Sequence, residues 1–265
     1  ERFLVPASCL LPERLVSYNA SHGGSGVQYR VPAAVRAAVY AMSYPSCVLT
    51  GFGALAMYGL PFFADALETV LMHPSASCAQ PSAAMQPRIY RGTLPREYRW
   101  KVQCGSTEIE VASPPMALVQ ALKLVKKGKA AWPVTTAPGD SAEFTRAVQL
   151  IDAARNHLGV DPAEVLRASY QHLETRWICS AIAASSQLAD SPKETEMRLI
   201  ARKIAEEFDL VLREQVMVVR DNRIITTFDL TLENPDADQK IGLMYDGEHH
   251  WERQQRQKDA EINLE

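Results

Sequence analysis

The chain lacks a C-x-x-C pair, an apolar run long enough to cross a bilayer, an internal repeat, a low-complexity tract and any surplus of positive charge. Its five cysteines, Cys9, Cys47, Cys78, Cys104 and Cys179, are scattered and odd in number. That pattern argues against a disulfide framework and against a zinc site. It fits a reducing, cytoplasmic compartment. With no span-length apolar segment, a membrane role is not expected. The net charge of −3 and pI near 6.1 are not those of a protein that coats nucleic acid with a basic surface. A mildly acidic enzyme that acts on nucleic acid stays compatible with them, provided its basic groups cluster. The first residues, Glu1-Arg2-Phe3-Leu4-Val5-Pro6, have neither a Met nor a signal-peptide layout, and the chain ends at Glu265 inside an expected helix. A trimmed start and a missing C-terminal piece are the expectation.

What is present is the composition of a soluble globular protein: 47% hydrophobic and 22% charged over 265 residues, enough for one large domain or two ordinary ones. Residues 1–30 read as irregular, with a flexible loop at Ser21-His22-Gly23-Gly24-Ser25-Gly26. Helical spacing follows at 32–42 and 52–58, around a short apolar run, Cys47 to Gly51. Strand patterns occur at 68–72, 88–91, 100–103 and 108–111, and Pro114 opens a helix through Leu124. Residues 126–142 mix Lys, Gly, Pro and Thr and read as a loop. Helical patterns cover 144–158, 162–172 and 174–184, the second opened by the Asp161-Pro162-Ala163-Glu164 cap.

After a break at 185–191, Ser191-Pro192-Lys193-Glu194 starts a helix to about Phe208. Three strands are expected at 210–219, 224–232 and 240–246, the first two joined in a hairpin at Arg220-Asp221-Asn222-Arg223, and a polar helix over 251–264. The expected fold is α+β or mixed α/β. It comprises an N-terminal α/β domain (1–140), a helical connector (141–190) and a C-terminal domain (191–265) built on a central sheet flanked by helices.

The chemistry concentrates near the end of the chain. Asp229 lies at the end of one expected strand and Asp246 at the end of the next, just before Gly247-Glu248-His249-His250-Trp251. If the strands are neighbours, both acids reach one sheet edge, and Glu194, in the first turn of the preceding helix, approaches the same edge. Carboxylates suit Mg²⁺, which takes one or two of them and keeps several waters. Such a cation polarises a phosphodiester and acidifies a bound water. His249 or His250 has a side chain that titrates near neutrality and can serve as general acid or base. Structural readings compete at each position. Asp229 suits a strand-end turn, Glu194 suits a helix N-terminus whose dipole it offsets, and the His pair suits the surface. Trp251 suits packing, Asp259 the helix surface, and Lys126-Lys127-Gly128-Lys129 a solvated loop.

Taken in order, Ser191-Pro192-x-Glu194-x-x-x-Arg198, Phe228-Asp229-Leu230, Tyr245-Asp246-Gly247-x-His249-His250 and Asp259 resemble the Vsr-like branch of the PD-(D/E)XK nuclease superfamily. The likeness is nearest to the Vsr-related bacterial domains that end in a Glu-Tyr-Asp-Gly-x-x-His pattern, and it covers about residues 191–265. It implies a restriction-endonuclease-like core, Mg²⁺ or Mn²⁺, and endonuclease or nickase activity on DNA in repair or phage defence. By that resemblance Glu194 matches the helix acid, Asp229 the central metal ligand, Asp246 the acid after the third strand, and His249 or His250 the histidine. Met244 departs from the pattern, where the related domains usually have Glu, and a thioether does not replace a carboxylate on Mg²⁺. A natural pseudo-nuclease, an engineered change, and a site that uses Asp229 and Asp246 alone are the three explanations.

Residues 30–170 are similar, more loosely, to AbiEi-like antitoxin regulators. The likeness rests on Val48-Leu49-Thr50-Gly51, Ala54-Leu55-Ala56-Met57-Tyr58-Gly59-Leu60 and Ala112-Ser113-Pro114-Pro115-Met116-Ala117-Leu118. It implies a place in a defence module with a protein partner, and it supplies the alternative function, a non-catalytic DNA-binding regulator. No pattern bears on oligomeric state.

Overall fold

The computed structural model describes residues 4–22, 27–76, 86–221, 223–237 and 239–245. The architecture is mixed α/β, with two compact units: residues 1–135 with 141–187, and residues 136–140 with 188–265. Among the described residues no helix is long and apolar enough to cross a membrane.

The first unit opens with α1 (Glu13–His22) and α2 (Ala33–Ser43), followed by β1 (Val48–Thr50) and α3 (Gly51–Met57). Strands β2 (Val70–His73), β3 (Arg88–Arg91), β4 (Arg99–Cys104) and β5 (Thr107–Ala112) follow. The five strands form one mixed sheet in the order β3-β2-β1-β5-β4, with β1 parallel to β5 and antiparallel to β2. The central strand β1 is buried along its whole length, as a strand covered on both faces must be. The outer pair β4–β5 carries exposed Lys101–Glu108 and Arg99–Glu110 ion pairs, charges of the kind that blunt a sheet edge.

Helix α4 (Pro114–Lys126) is the spine of this unit. Every residue from Pro115 to Leu122 is buried, which requires a helix apolar on nearly all sides, and the sequence PPMALVQALKLVK supplies that. Against it pack α5 (Ala142–Leu158) and α6 (Pro162–Ser169), and α7 (Thr175–Ala184) packs on those two. These three helices, the expected connector, lie within the first compact unit. Arg36 is buried in the same unit, where its guanidinium donates to the carbonyls of Leu67 and Asp65 at 3.0 and 2.9 Å and lies 3.8 Å from the centroid of the Tyr29 ring. Burial lowers its pKa, opposed by Tyr29 and Asp65.

The second unit is α8 (Pro192–Glu207) followed by an antiparallel meander of β6 (Val211–Arg220), β7 (Arg223–Glu233) and β8 (Lys240–Leu243). Ser191 caps α8 by accepting the Glu194 N–H at 3.3 Å, with Pro192 inside the first turn. Thr195, Arg198, Leu199, Ala201 and Ala205 are buried at helical spacing. The Arg198 guanidinium reaches Glu214 of β6 at 3.5 Å and holds the helix to the sheet. The tip of the hairpin is tight, with Arg220 paired to Arg223 and Asp221 at φ 49°. A positive φ at the first residue of a two-residue hairpin turn is what the primed turn types require, and Asp tolerates it better than most residues. Strand β8 ends at Leu243, short of the expected 246, and just beyond it the Tyr245 N–H donates to the side chain of Asp229 instead of a strand partner.

Candidate functional site

Three pieces of the second unit converge: the start of α8, the middle of β7 and the residues after β8. Glu194 sits at the third position of α8. Its Oε1 accepts the Ser191 hydroxyl at 2.9 Å and its Oε2 accepts the Asp190 N–H at 2.9 Å. The Ser191 bond to the Glu194 N–H is one half of a capping box, and the Glu194 side chain reaches back to the Asp190 N–H, one residue before the cap, which suits Glu194 as a helix-start acid. The capping role does not account for everything about this carboxyl. It is half-buried, and its pKa is raised, first by burial, then by the charges of Asp229 and Asp190, against the lowering effect of the two hydrogen bonds it accepts. Asp229 therefore lies within electrostatic reach of Glu194.

Asp229 is placed by the sheet. Its neighbour Leu230 pairs with Glu214 on one side and Leu243 on the other. Its Oδ2 accepts the backbone N–H of Tyr245 at 2.7 Å. A strand-end turn does not describe this residue, because β7 continues to Glu233. The bond ties the carboxylate to the chain just past β8, next to Met244. Met244 is exposed, with Sδ 4.0 Å from the Thr226 hydroxyl. The sheet stays closed under this region because Gly242 has no side chain: a Cβ there would come within 2.6 Å of the Phe228 ring.

Gln215 was not singled out by the sequence. The ladder pairs Glu214 with Leu230 and Val216 with Phe228, so Gln215 stands across from Asp229. Its φ is +50° inside a strand, which costs on the order of 1–3 kcal/mol for a residue with a side chain. The Gln215 amide donates to the Leu188 carbonyl at 3.4 Å. A polar residue in the run Val211 to Val219 was the available signal, and residue type alone does not reveal a positive φ.

The structure thus brings together Glu194, Asp229 and the backbone at Tyr245, with Met244 beside them. Asp246, His249, His250, Trp251 and Asp259 lie outside the described residues. Among the described residues no group of three or more His, Cys, Asp or Glu side chains is arranged to hold a metal ion. The donor set at hand is two carboxylates. Asp229 has one oxygen beyond the Tyr245 bond, and each Glu194 oxygen keeps a lone pair. That chemistry fits a hard cation that binds one or two carboxylates and retains water, and it does not fit zinc. No protein-family model matches the chain, and no curated protein or solved structure gives a significant match.

Proposed function

We propose that the second unit is a Mg²⁺- or Mn²⁺-dependent DNA endonuclease or nickase that hydrolyses phosphodiester bonds in repair or phage defence. The supporting observation is that two acids from separate elements, Glu194 at the start of α8 and Asp229 in β7, are close enough for one charge to raise the pKa of the other. Like charges held together cost free energy, and a divalent cation between them would remove that cost. Asp229 and Glu194 would hold the cation, with Asp246 as the third acid that the family resemblance assigns. When bound, the cation would polarise the scissile phosphate and acidify a water.

The chain's own groups carry the rest. The Tyr245 N–H fixes the rotamer of Asp229 and leaves its other oxygen available. Glu194 has a raised pKa in the metal-free chain, and a cation bound between the two acids would favour its carboxylate form. His249 or His250 is the proton-transfer group in this reading.

Met244 supports a second reading. The thioether is exposed beside Asp229, where the related domains usually carry Glu, and sulfur is a poor ligand for Mg²⁺. On this reading the chain binds DNA as a regulator without cutting it. One experiment separates the two. The natural chain, Met244→Glu and Asp229→Ala are incubated with single-stranded, duplex and mismatched DNA in Mg²⁺ and in Mn²⁺. Cleavage by the natural chain, abolished by Asp229→Ala, supports the nuclease. Cleavage by Met244→Glu alone identifies a nuclease site disabled at residue 244. Salt-dependent binding with no cleavage by any form overturns the nuclease and leaves the regulator.

A further inference from the structure

We propose that the first unit carries a binding site for a terminal phosphate monoester, in the cavity between the end of α4 and strands β1, β2 and β3. This site lies outside the second unit and does not rest on the nuclease reading.

The cavity has a volume of about 190 Å³. Pockets for drug-sized ligands run roughly 300–1,000 Å³, so this one admits a small group rather than a whole large ligand. Its lining includes Arg91, Lys123, Lys127 and Lys129. None of these four forms an ion pair with a described carboxylate, whereas the adjacent Lys126 is paired with Glu174 at 2.9 Å. Four cations around a small concavity, with no acid among the described residues paired to them, make a positive potential that favours an anion there.

Two hydroxyls give a second, independent indication. Thr50 and Tyr90 also line the cavity, and their oxygens are buried with no hydrogen-bond partner. Thr50 is 1% exposed, and although it precedes α3 it makes no side-chain cap bond. A buried hydroxyl without a partner costs about 1–3 kcal/mol, so one that persists calls for a group to satisfy it. A phosphate monoester brings up to two negative charges and three strong acceptor oxygens. That complements two hydroxyl donors and several ammonium groups, and a small cavity favours a chain end over an internal diester.

Local structure explains how the lysines reach the site. Helix α4 ends in a Schellman motif. Gly128, at φ 64°, donates its N–H to the Val125 carbonyl at 2.9 Å, and Lys129 donates to Leu124 at 2.9 Å. The reversal turns Lys129 back over the sheet, where its Nζ lies 5.3 Å from the centroid of the Tyr90 ring. Lys123, three residues inside the helix end, is half-buried. Its pKa is lowered by burial and by Lys127, so the charge is poorly compensated within the protein itself. The Lys126-Lys127-Gly128-Lys129 cluster is therefore divided: one lysine is paired and two face the cavity.

The test uses the full chain in EDTA, so that no divalent cation serves the second unit. Binding of inorganic phosphate and thymidine monophosphate is measured by calorimetry. Binding of a short oligonucleotide is compared between its 5′-phosphate and 5′-hydroxyl forms. The expected result is binding of phosphate-bearing probes, weakened about 10-fold or more by Lys123→Gln or Lys129→Gln, the loss expected for one charge-assisted hydrogen bond. Thr50→Val, which keeps the shape and removes the hydroxyl, should weaken it too. Preference for the 5′-phosphorylated strand over thymidine monophosphate would make a DNA end the source of the phosphate, and the reverse preference would make it a free nucleotide. Lys129 is exposed, so its variant keeps the test valid if Lys123→Gln misfolds. Absence of binding by every probe overturns the proposal. So does unchanged affinity in the lysine variants with a lowered melting temperature, which would assign the lysines to the α4 C-terminus alone.

Discussion

Replacing Gly242 with Ala places a methyl group 2.6 Å from three atoms of the Phe228 ring. Carbon atoms pack best at about 3.5–4.0 Å, so the overlap is close to 1 Å and either the ring or strand β8 must move. Overpacking of this kind costs about 1–3 kcal/mol. An opposing effect exists. Gly242 does not have a positive φ, so Ala fits its backbone and restricts the unfolded chain, which contributes about 0.4–1 kcal/mol in favour of the variant. The clash wins, and a net loss of roughly 1–2 kcal/mol is expected. Urea unfolding gives the stability, and amide exchange in β7 and β8 locates the loss. Phe228→Leu in the Gly242→Ala background should recover part of it, as expected for directly touching residues. Because Leu243 pairs with Leu230 beside Asp229, displacement of β8 should also speed exchange of the Tyr245 N–H. A Gly242→Ala variant as stable as the natural chain, with unchanged exchange at Tyr245, would refute the packing that sets this site.

Other outcomes follow from the same unit. Ser191→Ala removes the cap on the Glu194 N–H and the hydroxyl donated to its Oε1, and should cost about 1 kcal/mol in urea unfolding. Because Glu194 has a raised folded pKa, the native state holds a proton that the unfolded chain gives up near its ordinary value of 4.5. Its contribution to stability is present at acid pH and is lost as pH climbs from there through the raised value. Glu194→Gln should flatten the stability profile over that window. An unchanged slope would mean that Glu194 titrates normally.

Much of this architecture is legible in the chain itself. Arg88–Arg91 is a strand of the expected length, Pro114 marks the start of α4, and the Ser191-Pro192-x-Glu194 cap marks α8. These elements announce themselves through periodicity and caps, which are local. Helix α1 escaped because ERLVSYNASH buries only Val16 and has no strong apolar face. Helix α6 stops at Ser169, short of the expected 172, where the chain turns and Gln171 takes φ +61°. At the candidate site the acids Glu194 and Asp229 were readable as residue types, and so was Met244 beside them. Three features were not: the Tyr245 N–H bond to Asp229, the positive φ of Gln215, and the need for Gly at 242. Each depends on a partner in another strand, and no local pattern encodes that. The pocket of the first unit was hidden for the same reason, since its hydroxyls and lysines come from distant parts of the chain.

The most direct measurement is carbon-13 carboxyl NMR of Glu194 and Asp229, with Mn²⁺ added and with Asp229→Asn. The account predicts that substoichiometric Mn²⁺ broadens both resonances together, and that Asp229→Asn lowers the Glu194 pKa by removing the neighbouring charge. A Glu194 pKa unmoved by Asp229→Asn, with neither resonance broadened by Mn²⁺, would contradict a shared carboxylate site.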